Sequence, residues 1–154
     1  MMQVVVDTDV VSFLFKNHPI GLRYDPELAG RVPSISFMTA AEMERWAIQY
    51  RWGEHRLHWL HLYLKRFTVV PSSPDLCRKW AEVMVAAQAA GRRIECADGW
   101  IAATALLYGI PLVTHNENDY LGVPNLTLIS RAEDRLPDGG YPMAAIAAAT
   151  FSEP

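Results

Sequence analysis

The chain has 154 residues, 14 Lys and Arg against 17 Asp and Glu, 51% hydrophobic residues and a mean hydropathy of +0.03. That length suits one domain around a single core, and the composition excludes a disordered or fibrous chain. The net charge of −3 speaks weakly against a polyanionic partner, because carboxylates gathered at one metal site would hide a local basic surface in the whole-chain sum.

The opening MMQVVVDTD lacks a basic segment and its apolar run is too short for a secretory signal, so a soluble, cytoplasmic protein is expected. No apolar run approaches the ~20 residues that cross a bilayer. Cys77 and Cys96 form no CxxC pair and are expected as reduced, buried thiols.

In chain order, Gln3 to Val6 is a β-branched run ending on Asp7, the pattern of a strand buried on both faces. Residues 9–15 (DVVSFLF) can turn into a helix, and 16–30, with two prolines and two glycines, read as a loop or a broken helix. Val32 to Ser36 fits a short strand, against which Pro33 counts. Thr39-Ala-Ala-Glu42 has the spacing of a capping box and predicts a helix start there. Leu57, Leu60 and Leu64 mark a helix over 54–65, FTVV (67–70) a third strand, and 74–90 a long helix closed by Gly91. From Asp98 a run apolar all round predicts a buried helix ended by Gly109, and PLVT (111–114) and LTLIS (126–130) read as the last strands. Strands alternating with helices imply an α/β fold, a three-layer α/β/α stack on a mostly parallel sheet of about five strands. Residues 1–131 form the expected domain, and 132–154, with PDGG and an Ala-rich stretch, a C-terminal extension that docks or frays.

In such a sheet ligands bind at the carboxyl ends of the strands. Asp7 follows the first strand, Glu42 lies early in a helix, Asp98 opens the buried helix, and Asp119 follows PLVT. Each has an ordinary reading taken singly: Glu42 as the partner of Thr39, Asp98 as a helix cap, Asp119 as a turn residue. Together, four acids on one rim would repel or take up protons unless a cation held them. Oxygen ligands without His or Cys favour Mg²⁺ or Mn²⁺, and a site of that kind activates water against a phosphate.

With these residues in view, the chain resembles the PIN-domain nucleases, particularly the VapC-type toxins of bacterial toxin–antitoxin pairs. The likeness runs from about Val4 to Ser130 through VVVDTDVVSFL, TAAEMERWA, ADGWIAATALLYGIPLVT and THNENDY. It matches Asp7, Glu42 and Asp98 to the family's first three acids, and Thr114, Asn116 and Asp119 to the polar positions of its last motif. Asp9 stands where the family often has Asn, adding an acid, and the last residues extend past the usual final strand. The resemblance implies metal-dependent RNA hydrolysis, a homodimer and inhibition by a cognate antitoxin. Asp7, Asp98 and Asp119 would then hold the metal, with Glu42 serving the attacking water and Thr114 and Asn116 in support.

Residues 45–67 interleave Arg45, Arg51, Arg56, Lys65 and Arg66 with Trp46, Tyr50, Trp52, Trp59, Tyr63 and Phe67. Such a mixture suits stacking on single-stranded RNA or packing in the core or against a partner chain, and a protein interface is the reading preferred here. His55, His58 and His61 recur every third residue and drift by about 60° per step around a helix, too far to share one metal. Two other functions compete. VVVDTDVV also fits the nucleophile motif of haloacid-dehalogenase-type phosphatases, but that family needs paired acids where this chain has Thr114-His115-Asn116. A non-catalytic scaffold binding RNA or protein would gain nothing from clustered acids.

Overall fold

In a computed structural model of the chain, which describes residues 2–132, five strands form one parallel sheet. They are β1 (Gln3–Val6), β2 (Val32–Ser36), β3 (Thr68–Val70), β4 (Leu112–Val113) and β5 (Leu128–Ile129), in the order β3-β2-β1-β4-β5. The helices are α1 (Thr8–Phe15), α2 (Pro19–Leu22), α3 (Asp25–Leu28), α4 (Phe37–Gln49), α5 (Glu54–Leu64), α6 (Pro74–Ala89) and α7 (Cys96–Tyr108). The expected C-terminal extension lies, from residue 133 on, outside the described residues.

The period-2 alternation of a strand divides the core. Val4, Val6 and Val113 pack on one face with Val10, Phe15, Met43 and Leu60 from α1, α4 and α5. Val5 and Leu112 pack on the other with Leu76, Val83 and Ile101 from α6 and α7. β1 is central, so its three valines are fully buried on both faces, as the unbroken apolar run requires. Helices on both faces complete the three-layer fold.

Pro33 sits inside a strand with neighbours on both sides, and the register shows how it is tolerated. The Val32 amide donates to Met2 at 3.0 Å toward β1, so the nitrogen of Pro33 faces the opposite side. Pairing with β3 starts only at Ser34, where Thr68 stands opposite. The missing donor thus falls where no acceptor waits.

Several starts differ from the sequence expectation. α4 begins two residues before Thr39, because β2 runs straight into it and the Ser36 hydroxyl already accepts the Met38 amide at 3.1 Å. Thr39 is therefore a buried residue of the first turn, not a cap. α7 is capped at Glu95, which makes Asp98 its third residue rather than its opener. Gly109 ends α7 with φ +62°, the left-handed geometry of a helix C-cap. Cys77 and Cys96 are both exposed free thiols, not buried ones, since they lie on the outer surface of α6 and at the first residue of α7.

Candidate active site

The carboxyl ends of β1, β2 and β4 open onto a common rim, and three of the four sequence-selected acids reach it from different elements. Asp7 is only 5% exposed and caps α1. Its Oδ1 accepts the Thr8 amide at 2.7 Å. Its Oδ2 accepts two hydroxyls, Thr114 at 2.7 Å and Tyr120 at 2.9 Å. Asp98, in the first turn of α7, has Oδ1 3.4 Å from that same Tyr120 hydroxyl. Glu42 lies one turn further into α4 than a capping box would place it, and its Oε1 accepts the Thr8 hydroxyl at 2.8 Å. Thr39 stands 2.9 Å from the same hydroxyl oxygen and, since Thr8 gives its proton to Glu42, acts as the donor there.

Asp119 occupies a short 3-10 turn, Glu117–Tyr120, and is exposed. It is still near enough for its charge to act on Asp98. Asn116 donates through Nδ2 to Asp9 Oδ2 at 2.9 Å, and the His115 amide donates to the same oxygen at 3.2 Å. Thr114 and Asn116 thus each hold an acid: Asp7 in one case, Asp9 in the other.

Burial dominates the electrostatics of the three aspartates. It pushes Asp7 up to about 6, against the lowering by Thr114, Tyr120 and Thr8. It pushes Asp98 up to about 7, helped by Asp7, Asp119 and Glu42, and Asp9 up to about 8, helped by Asp7 and Asp98. Tyr120 is driven well above its ordinary value by burial and by these acids, so it remains a protonated donor. Among the described residues no Lys or Arg forms an ion pair with any of the three aspartates.

A set of carboxylate oxygens with Thr, Asn and Tyr around it, and no thiol or imidazole among the donors, has the chemistry of a Mg²⁺ or Mn²⁺ site. The raised carboxyls fit such an ion, which would supply the missing positive charge. Among the described residues, however, no three acids already stand in the arrangement that would hold one.

The sequence marks Thr39 only as a helix cap and does not mark Thr8 or Tyr120 as site residues. Thr8 between two acids and Tyr120 directly after Asp119 were the available signals, but only the fold aims their hydroxyls. A cavity of about 500 Å³ between α6 and the C-terminal end of α7 is lined by Lys79, Ala105, Ile110 and Leu126 and contains none of these acids. The aromatic stretch 45–67 divides. Tyr63 and Phe67 are core, Trp52 stacks on Phe15 at 5.5 Å, and Ile48 and Tyr50 remain 78% and 64% exposed. His55, His58 and His61 are exposed, with His61 paired to Glu44 across α4 and α5.

Comparison with known proteins identifies the family. The sequence matches the PIN domain family over residues 4–124. It is 31% identical over 111 residues to ribonuclease VapC4 of Mycobacterium tuberculosis, covering 70% of this chain and 85% of the relative. Ribonuclease VapC1 of Haemophilus influenzae strain R2866 is 29% identical over 130 residues, covering 81% and 95%. Among solved structures, VapBC-1 from nontypeable Haemophilus influenzae superposes with a TM-score of 0.72 at 27% identity, over 84% of this chain and 98% of that one. VapBC2 from Rickettsia felis, bound to a fragment of promoter DNA, gives 0.75 over 84% and 99%, a likeness of fold at 23% identity. The chain belongs to the PIN-domain family and is a VapC-type nuclease.

Proposed function

We propose that this protein is the toxin of a toxin–antitoxin pair, an endoribonuclease in which Asp7, Asp98 and Asp119 hold Mg²⁺ or Mn²⁺ and Glu42 serves the attacking water. The observation that carries the reading is the convergence of Asp7, Glu42 and Asp98 on one rim, where the charge of Glu42 raises both aspartates and that of Asp7 raises Asp98. Folding keeps such a cluster only at a cost, and perturbed carboxyls at a strand-end rim are the mark of a working site.

When bound, the cation supplies charge stabilisation at the scissile phosphate and lowers the pKa of water. The chain's own residues set the geometry. Thr8 and Thr114 fix the orientations of Glu42 and Asp7. Glu42 takes the proton of the attacking water as its oxygen bonds to phosphorus. The bond from phosphorus to the 3′-oxygen breaks in line, the leaving oxygen takes up a proton, and the products carry a 5′-phosphate and a 3′-hydroxyl. Asn116 keeps Asp9 turned to the edge of the rim.

Residues 1–131 carry this activity in the cytoplasm, where RNA and an antitoxin are met. The VapBC complexes among the structural relatives support a protein inhibitor as partner, and the exposed part of 45–67 supports a homodimer. Among the described residues no helix is long and apolar enough to cross a membrane.

The test is direct. Purified protein is expected to cut RNA with Mg²⁺ or Mn²⁺ and to stop in EDTA, leaving ends that ligate as 5′-phosphates. Undiminished cutting in EDTA overturns the proposed chemistry.

A further inference from the structure

Asp7 carries more hydrogen-bond donors than a metal ligand can easily keep. A carboxylate offers about four lone-pair positions, two on each oxygen. Here the Thr8 amide takes one on Oδ1, and the Thr114 and Tyr120 hydroxyls take both on Oδ2. Oδ2 is also the oxygen on the side of Asp98, because the hydroxyl that donates to it at 2.9 Å lies 3.4 Å from Asp98 Oδ1. The space in which one cation would touch both acids is thus lined by a phenol oxygen.

The two hydroxyls on Oδ2 are not equivalent. Thr114 sits at the end of β4, is fully buried, and its oxygen also accepts the Asn116 amide at 3.1 Å, so it is fixed by the turn it belongs to. Tyr120 has a second acceptor within reach, Asp98 Oδ1. Its single proton serves one carboxylate at a time, and rotation about the C–O bond moves it between them. Tyr120 can therefore release Asp7 without leaving its own hydroxyl unsatisfied.

We infer that the Tyr120 hydroxyl is a placeholder for the cation: it donates to Asp7 Oδ2 while the metal is absent and turns toward Asp98 when metal takes its position. Tyr120 is in this sense a positioning residue, acting through Asp7 and Asp98, and it lowers metal affinity in exchange for giving the buried acids a hydrogen-bond donor. The inference rests on the metal reading proposed above.

The experiment measures Mn²⁺ binding to the full chain by the loss of the free-ion electron paramagnetic resonance signal, for wild type and Tyr120→Phe. With the competing hydrogen bond removed, the variant is expected to bind Mn²⁺ about three- to tenfold more tightly, the worth of one net hydrogen bond. Its metal-free melting temperature is expected to fall, because two acids lose the donor between them. A brace of purely structural value would give the opposite sign, weaker Mn²⁺ binding, and that result, or equal affinity, overturns the inference. Absence of Mn²⁺ binding in wild type overturns the metal reading itself and this inference with it. Should Tyr120→Phe fail to fold, 3-fluorotyrosine incorporated in place of Tyr120 keeps the hydroxyl. Its ¹⁹F resonance must then shift on addition of Mg²⁺, and an unmoved resonance at saturating Mg²⁺ overturns the inference.

Discussion

The rim at the ends of β1, β2 and β4 and the α4–α5 layer spend their residues in opposite ways. The rim buries Asp7, half-buries Asp98 and Asp9, and among the described residues gives them hydroxyls and amides instead of cations. The α4–α5 layer is rich in Arg and aromatic side chains, yet its inner half is ordinary core: Leu60 is fully buried, Tyr63 and Trp52 pack on Phe15, and Phe67 packs on Tyr63. Even its cations lie along rings, with the Arg56 guanidinium 4.0 Å above Trp52. Composition alone would have marked the second region as the place where nucleic acid meets protein. The first is where folding accepts an unfavourable arrangement, and such an arrangement points to function more surely than a suggestive mixture of residue types.

The largest expected effect breaks that contrast at the rim. Asp98→Asn keeps size and removes one charge, so cleavage in Mg²⁺ is expected to fall by at least about two orders of magnitude, several kcal/mol of lost charge stabilisation. Metal-free melting should hold steady or rise. The variant forfeits a first-turn acid worth about 0.3–1 kcal/mol, but it relieves a buried charge facing Asp7 and Glu42. An Asp98→Asn protein that melts normally and cuts RNA at the native rate would reduce Asp98 to a helix-terminus acid.

In the other region the same logic reverses. Leu60→Ala is expected to cost about 2–5 kcal/mol of stability by opening a cavity under α5, read as a lowered denaturant midpoint. The fraction that stays folded should cut RNA at the native rate per molecule. A variant of full stability but lost activity would move the α4–α5 layer into the site.

A smaller effect follows from pH. Asp7, Asp98 and Asp9 are raised from 3.8 to about 6, 7 and 8, so the folded protein binds protons that the unfolded chain has released. That contribution to stability is complete below about pH 4 and is lost as pH rises through the folded values. Metal-free protein is therefore expected to melt higher at pH 5.5 than at pH 8.5, and Mg²⁺ to raise the melting temperature more at the higher pH. A metal-free melting temperature that rises with pH across this window would contradict the assigned electrostatics.

The smallest effect sharpens the outer face of α4. Ile48→Asp changes an exposed position and is expected to alter monomer stability by no more than about 0.5 kcal/mol. Light scattering of wild type is expected to give a mass above the 17.3 kDa of one chain, and the variant to lower it. A clean wild-type monomer at micromolar concentration would remove the homodimer.

By itself the sequence determined most of the layered architecture, because strand and helix periods are local properties of the chain. The VVV run, the Leu spacing of α5 and the glycine that closes α7 each declare one element, and their alternation declares a parallel sheet. The sequence also singled out Asp7, Glu42 and Asp98, since an acid at a strand end or in a helix's first turns needs a reason. Helix starts were less legible, because several residues can cap and the one that does depends on how the preceding strand delivers the chain. Ser36 thus displaced Thr39 as the cap, and α7 starts at Cys96, two residues before Asp98, with no capping bond from the Glu95 side chain. Only the tertiary structure decided which hydroxyl meets which acid. Tyr120 and Asp7 are 113 positions apart, and their contact depends on β4 pairing with β1 and on the turn that follows β4. Burial was likewise settled there, because the pKa of a carboxyl depends on how much water the surrounding elements exclude, a property of the packed layers and not of the local chain.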